Sequence, residues 1–163
     1  MALTRLGTNS ITALPAGIGG KVLQVFHTNS SDDLTLSKDT FVDVTGLSVL
    51  TITPSSTSSK ILCTYSSNYY ANHTGTGLST KLFYSTDGGS SYSQIHFPHQ
   101  YASHDNTGTD RRGTANFTYL HSPASSSELK YKIQVAYSGG GSGTFTFGNG
   151  QDTTDFTIME IAG

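Results

Sequence analysis

The sequence predicts an all-β protein, an antiparallel β-sandwich of jelly-roll type with an extended N-terminal arm. Three observations carry this. Residues 128–137 alternate strictly: Leu129, Tyr131, Ile133, Val135 and Tyr137 interleave with Glu128, Lys130, Lys132, Gln134 and Ala136. That is the period-2 pattern of a strand with one face on a core and the other in solvent. Short β-rich runs are separated along most of the chain by clusters of Gly, Pro, Asn, Asp and Ser, the punctuation of a sandwich or barrel. No window places apolar residues at helical spacing.

Composition narrows the class. The chain has 163 residues, enough for one domain with a sizeable core. Charged residues make up 12%, against a usual ~25%, so Ser, Thr, Asn, Gly and Tyr must carry the surface. The net charge of −2 supplies no basic field for nucleic acid or anionic lipid. No apolar run approaches the ~18 residues of a membrane span, so membrane insertion is not expected. Residues 1–7 lack the apolar core of a signal peptide, and synthesis in a cytoplasm is expected. Cys63 is the only cysteine. It sits in a strand pattern and reads as a small buried hydrophobe.

The elements follow in order. Residues 1–20 carry Leu3, Leu6, Ile11 and Leu14 without a steady period, then Pro15, Gly17, Gly19 and Gly20. This reads as an arm ending in a hinge, which docks elsewhere through its apolar residues, and residues 21–163 read as the sandwich domain. The first strand, 21–27, is apolar on both faces. A loop at 29–33 and a short strand at 41–44 follow. A clearer strand at 47–53 is stopped by Pro54, which cannot donate to a ladder. The strand at 60–65 places Ile61, Cys63 and Tyr65 on one face. Residues 78–84 and 92–97 flank Asp87-Gly88-Gly89, a hairpin signal. Residues 99–112 form a long loop. Strands at 113–120 and 128–137 come next, then Gly139 to Gly143 as a flexible loop, and Phe145 and Phe147 alternating with threonines.

The closing strand, 155–163, organises the rest. Phe156 and Ile158 share one face, and Met159 and Ile161 the other. One sandwich core covers one face only, so the second apolar face calls for another layer. Phe156, Ile158, Met159 and Ile161 are therefore candidates for an oligomer interface, and a homotrimer would suit. Glu160 lies on the Phe156/Ile158 face and is expected to be buried and paired, for example with a cation of a neighbouring chain.

No motif spells out a chemistry, and no cofactor is expected. His96, His99 and His104 are close enough in sequence to be weak metal candidates, yet they lack the Cys or Glu framework of a ligand set. The two glutamates, Glu128 and Glu160, do not form the carboxylate pair of a glycosidase. The glycines do not follow the phosphate-cradling pattern, and no nucleophile elbow is present. The chain is expected not to be an enzyme. Loop aromatics and amides remain: Tyr69, Tyr70, Asn72, His73, Tyr101, Asp105 and Asn106, in loops 66–77 and 98–112, are residue types that stack on sugars and bond their hydroxyls. They are the candidates for receptor or glycan recognition.

Several strings carry a resemblance. The opening Ala2-Leu3-Thr4-Arg5-Leu6 to Ser10-Ile11, Leu14-Pro15-Ala16-Gly17 and Gly20-Lys21-Val22-Leu23-Gln24-Val25 resembles the start of small virion proteins of tailed bacteriophages, marine ones in particular. So do the stretch from Leu50-Thr51-Ile52-Thr53-Pro54 to Lys60-Ile61-Leu62, the segment Tyr131-Lys132-Ile133-Gln134-Val135, and the ending Thr157-Ile158-Met159-Glu160-Ile161. The resemblance spans most of the chain in short, low-complexity strings. It implies a tail-fibre-like or capsid-fibre-like protein located in the virion: a homotrimer, anchored on other virion proteins through Leu3, Leu6, Ile11 and Leu14, with a β-sandwich knob turned toward a host glycan or protein. It brings no catalytic motif. Some such fibre tips bind metal through H-x-H repeats, and His96-Phe97-Pro98-His99 departs from that pattern. The alternatives are a capsid decoration, cement or tail-connector protein without receptor binding, and a glycan-binding, lectin-like domain.

Overall fold

A computed structural model of the chain describes residues 21–71, 76–98, 111–139, 145–147 and 153–163. Its elements are strands β1 (Val22–Ser30), β2 (Leu34–Leu36), β3 (Val42–Asp43), β4 (Leu50–Ile52), β5 (Lys60–Ala71), β6 (Thr76–Ser85), β7 (Ser93–His96), β8 (Arg111–His121), β9 (Leu129–Gly139), β10 (Phe145–Phe147) and β11 (Thr154–Ile161). No helix occurs among the described residues.

The strands form two antiparallel sheets. In the first, the order is β1-β11-β5-β8, and β2 and β10 extend the β1 and β11 positions along the far end of β5. In the second, β3 and β4 pair end to end along one edge of β9, and β6 and then β7 follow on its other edge. From β4 onward the chain crosses between sheets at every connection except the β6–β7 hairpin and β10–β11. This wrapping is that of a jelly roll, as the sequence predicts.

The core is the space between the inner faces. Ile61, Cys63, Tyr65 and Tyr69 of β5, Ala115 and Phe117 of β8, and Phe156 and Ile158 of β11 come from the first sheet. Leu50 and Ile52 of β4, Leu78 and Leu82 of β6, and Leu129, Tyr131, Ile133 and Val135 of β9 meet them from the second. Each buried Leu, Ile, Val or Phe among them contributes about 1.5–3 kcal/mol. Burial pushes the Cys63 thiol up to about 12, so it behaves as packing and not as a nucleophile. The hairpin tip matches its signal: Gly88 and Gly89 take φ of 73° and 93°, values that only glycine adopts without strain.

Two expectations are corrected. The strand predicted at 60–65 runs to Ala71, because pairing with β8 continues from Ile61↔His121 to Ala71↔Arg111. Ser66, Ser67 and Asn68 have turn-like propensities, but the continuous ladder with β8 overrides them. The alternate face of β9 is not all solvent-facing either. Ala136 is fully buried, on the face where Phe41 and Phe97 pack edge to face over the Lys81 ammonium.

Candidate interaction surface

The outer face of the first sheet is the most informative surface. In an antiparallel sheet, directly opposed residues share a face, so register can be read as rows across the strands. The row nearest the start of β1 is Val25, Met159, Leu62 and Leu120. Val22 and Ile161 oppose one another beside it. The next rows are polar: His27, Thr157, Thr64 and Thr118, then Asn29, Asp155, Ser66 and Asn116. The face thus has an apolar band at one end and a hydroxyl- and amide-rich field beyond it.

The band is open to solvent. Val25 is 55% exposed and Leu120 47%, while Met159 and Leu62 between them are half-buried. Strand β1 is an edge, and it carries the larger share of the exposed apolar side chains: Val22, Leu23, Val25 and Phe26. No Asp, Glu, Lys or Arg interrupts 22–30. Uncharged, apolar edges of this length are templates for association.

The polar field holds a shallow depression lined by Thr64, Ser66, Asn116, Thr118, Asp155 and Thr157. At its margin, Thr157 Oγ1 lies 3.0 Å from His27 Nδ1, and His27 Nε2 lies 3.5 Å from Asp155 Oδ1. Hydroxyl, imidazole and carboxylate thus sit in line. The His27 and Asp155 side chains are 47% and 43% exposed, however, and hydroxyl activation draws on a desolvated, oriented base. The trio is a surface cluster of one hydrogen bond and one ion-pair contact.

A second histidine cluster lies at the sandwich opening. His96 stacks on Tyr119 with centroids 4.6 Å apart and meets the Phe117 edge at 5.2 Å. His121 packs against Tyr84, and its Nδ1 lies 2.8 Å from the Tyr131 hydroxyl. Desolvation holds both imidazoles below their ordinary range. No group of three or more metal-ligating side chains occurs among the described residues. His99 and His104 lie outside those residues.

Glu160 is buried, but not against a cation of a neighbour. Its carboxylate accepts from the Ser55 backbone N–H at 2.6 Å, the Ser55 hydroxyl at 3.1 Å and Gln24 Nε2 at 2.7 Å. The Ser59 hydroxyl lies nearby without hydrogen-bond geometry. Desolvation raises this carboxyl, yet the hydrogen bonds together outweigh it and hold Glu160 below the usual carboxylate range. The carboxylate ties β11 to β1 and to the turn after β4, all within one chain.

The other predicted residues divide clearly. Phe156 and Ile158 are fully buried in the intrachain core, so they leave the interface set; the opposing sheet covers their face. Met159 and Ile161 lie on the outer face, in and beside the band. Tyr69 is 1% exposed and faces the core beneath Gly113, where a Cβ would collide with its ring. It leaves the recognition set, since strand parity carries on past Tyr65. Tyr70 is half-buried on the outer face. Asn72, His73, Tyr101, Asp105 and Asn106 lie outside the described residues, as do Leu3, Leu6, Ile11 and Leu14 of the arm. The sequence reading missed Leu62, Leu120 and Val25. The available signal was parity: Leu62 and Leu120 are apolar at positions whose neighbours two residues away are polar.

The fold class is therefore a jelly-roll β-sandwich. No family model matches the sequence, and no curated protein matches it either. Among the solved structures the chain resembles are those of infectious bursal disease virus. The Gt strain structure gives a TM-score of 0.45 at 12% identity, over 89% of this chain and 39% of that one. The VP2 subviral particle gives 0.45 at 10% identity, over 85% and 38%. The Gx strain gives 0.39 at 12% identity, over 88% and 43%. The chain spans about two fifths of the length of each. At these scores the likeness supports no residue-level transfer.

Proposed function

We propose that this chain is a non-enzymatic structural protein of a virion, working as a homotrimeric fibre or knob that attaches through residues 1–20 and contacts the host surface. The observation that carries the reading is the apolar band beside an uncharged edge strand, on an otherwise polar jelly roll of low charge. A closed sandwich has no need of such a band for its own fold, and exposed apolar patches mark association sites. The sequence resemblance to small phage virion proteins supports the viral setting. The polar depression next to the band supplies hydroxyl and amide groups suited to a surface glycan.

The test is to raise antibodies against the protein and label purified particles of the virus that encodes it. Label on projecting structures, at copy numbers divisible by three, is the expected result. Absence of the protein from purified particles would overturn the reading. A second reading, a capsid decoration or cement protein without receptor binding, draws support from the position of the band. It lies on the broad face of the sandwich and not at a loop-bearing end. Label spread evenly over the capsid, with no binding of the purified protein to host cells, would favour it.

A further inference from the structure

Exposure is uneven along the apolar row. Met159 and Leu62, with a strand on either side, are half-buried. Val25 and Leu120, at the two edges of the sheet, are 55% and 47% exposed. Cross-strand neighbours cover much of a side chain in a sheet. Among the described residues β1 pairs with β11 alone and β8 with β5 alone, so each end of the row has a neighbour on one side only. What the row lacks is one more strand at each end.

The two edges match one another. β1 runs antiparallel to β11, β11 to β5 and β5 to β8, so β8 runs opposite to β1. Beside β1 of a second copy, β8 forms an antiparallel pair that continues the sheet. Neither 22–30 nor 113–121 contains Asp, Glu, Lys or Arg, the charges that commonly keep edges apart. Parity then selects the register. A slip of one residue sets outer-face side chains against inner-face ones, and a slip of two sets Val25 against Thr118 or Ser122. With Leu120 opposite Val25 of the second copy, the apolar row runs unbroken from copy to copy. The polar rows continue too, Thr118 opposite His27 and Asn116 opposite Asn29. On the inner side Phe26, 38% exposed, falls opposite Tyr119, a favourable aromatic cross-strand pair. Residues 115–121 then face residues 24–30 over about 20 Å of ladder. The bulge of β1 lies between Val22 and Gln24, at the margin of that span. The bonds that tie Gln24 and Thr28 to residues 48–53 use their side chains, not their backbone.

We infer that β8 of one copy pairs with β1 of the next, Leu120 opposite Val25, and that three copies join head to tail in this way. This rests on the reading of the chain as a homotrimer, and it names the two surfaces that join its subunits. The joint is heterologous, because it uses two different patches of each chain, and such joints form rings when the rotation between copies closes. One contact covers both edges of the first sheet and removes them as templates for uncontrolled association.

The test is disulfide capture between full-length variants, read on non-reducing gels beside light scattering. Val25 and Leu120 of one chain are three strand spacings apart, roughly 14 Å, beyond the ~7 Å that a disulfide spans between Cα atoms. A link between them therefore joins two copies, and buried Cys63 does not compete. Mixed Val25→Cys and Leu120→Cys chains should give a linked dimer on oxidation, and neither variant alone should. A dimer from Val25→Cys alone would mean that β1 pairs with β1, and would overturn the inference. Face-to-face packing of two bands could also bring Val25 to Leu120. Phe26→Cys mixed with Tyr119→Cys separates the cases, since both positions lie on the inner side of the sheet. They should link as well, and a Val25–Leu120 link without a Phe26–Tyr119 link would overturn the edge joint. Val25→Lys should reduce the wild-type mass of three chains to one while leaving the urea midpoint of the single chain unchanged. An oligomer that survives Val25→Lys, or a wild type at single-chain mass, would also overturn it. The homotrimer reading is tested apart from the joint by the Val25→Cys/Leu120→Cys double variant. Linked products should stop at three chains. Ladders beyond three keep the joint and remove the homotrimer, whereas a three-chain mass with no links in either mixture keeps the homotrimer and removes the joint.

Discussion

The two outer faces of the sandwich are finished in different ways. On the second sheet the chain satisfies its own surface. Asp43 takes Lys132 Nζ at 2.9 Å and Gln134 Nε2 at 2.9 Å, Lys130 donates to the Gly88 carbonyl at 2.9 Å, and Lys81 sits 3.8 Å from the Phe41 ring centroid. Ala136 beneath this layer is fully buried. On the first sheet no comparable layer covers Val25 and Leu120 among the described residues. Both sheets contribute inner faces to one core, so the asymmetry does not arise from folding. It separates a face finished within the chain from one whose apolar residues stay exposed.

The closing strand gives the sharpest way to break this comparison, because adjacent residues serve the two purposes. Ile158→Ala removes a fully buried side chain and should cost about 2–5 kcal/mol in urea unfolding. Met159→Ala, on the outer face, should cost under ~1 kcal/mol in the single-chain form. Equal losses would mean that the outer face is covered within the chain.

Glu160 should come next in size. Glu160→Gln places an NH₂ group where the carboxylate accepts from Ser55 and Gln24. At neutral pH this should cost about 1–3 kcal/mol for the group left unpaired. The pH dependence has a definite sign. The folded-state pKa is depressed, so the carboxylate contributes its full stabilisation above its unfolded value and loses it as pH falls through the folded one. The gap between wild type and Glu160→Gln should therefore close in acid. A constant gap from neutral pH to pH 3, read from urea midpoints, would remove the carboxylate as the clasp between β1, β11 and the turn after β4.

A smaller effect should come from the sandwich opening. Desolvation lowers the pKa of both His96 and His121 from the ordinary imidazole value of 6.5. Stability is therefore complete above that value and declines as pH drops and the unfolded chain takes up protons first. His96→Phe preserves the stacking on Tyr119 and removes one titrating group. It should flatten the stability profile below about pH 6.5. A slope identical to wild type would assign the dependence to His121 or to other groups.

Much of this architecture is legible in the residues. The alternation of 128–137 correctly assigns Leu129, Tyr131, Ile133 and Val135 to the core. Asp87-Gly88-Gly89 marks its hairpin because only glycine takes the required φ there. The parity of 155–161 correctly splits Phe156 and Ile158 from Met159 and Ile161. Parity alone does not say which of two apolar faces meets the opposing sheet, and both pairs were therefore interface candidates. The far half of β5 is illegible for another reason. Ser66, Ser67 and Asn68 favour turns locally, and only pairing with residues about fifty positions away holds them extended. The band is the extreme case, since its members come from β1, β5, β8 and β11. Each lies on the outer face of its own strand, and register alone brings them into a row. The arm and the loop candidates Asn72, His73, Tyr101, Asp105 and Asn106 fall outside the described residues.

The smallest effect belongs to the completed face. Asp43 is 60% exposed, while the Lys132 side chain is 18% exposed and also lies 4.5 Å from the Tyr92 ring centroid. Asp43→Ala should cost no more than about 1 kcal/mol, as is usual for exposed ion pairs. The cost should shrink further at 1 M salt, where the screening length is about 3 Å. The same variant should leave the oligomeric mass untouched, because its partners all lie within the second sheet. Salt should act on the open band in the opposite sense, since strongly excluded salts such as sulfate favour burial of apolar surface. Ammonium sulfate should therefore strengthen self-association of the full chain while it erases the Asp43→Ala penalty. If both responses ran in the same direction, the two faces would be held by the same kind of force, and the division between a finished face and an open one would fail.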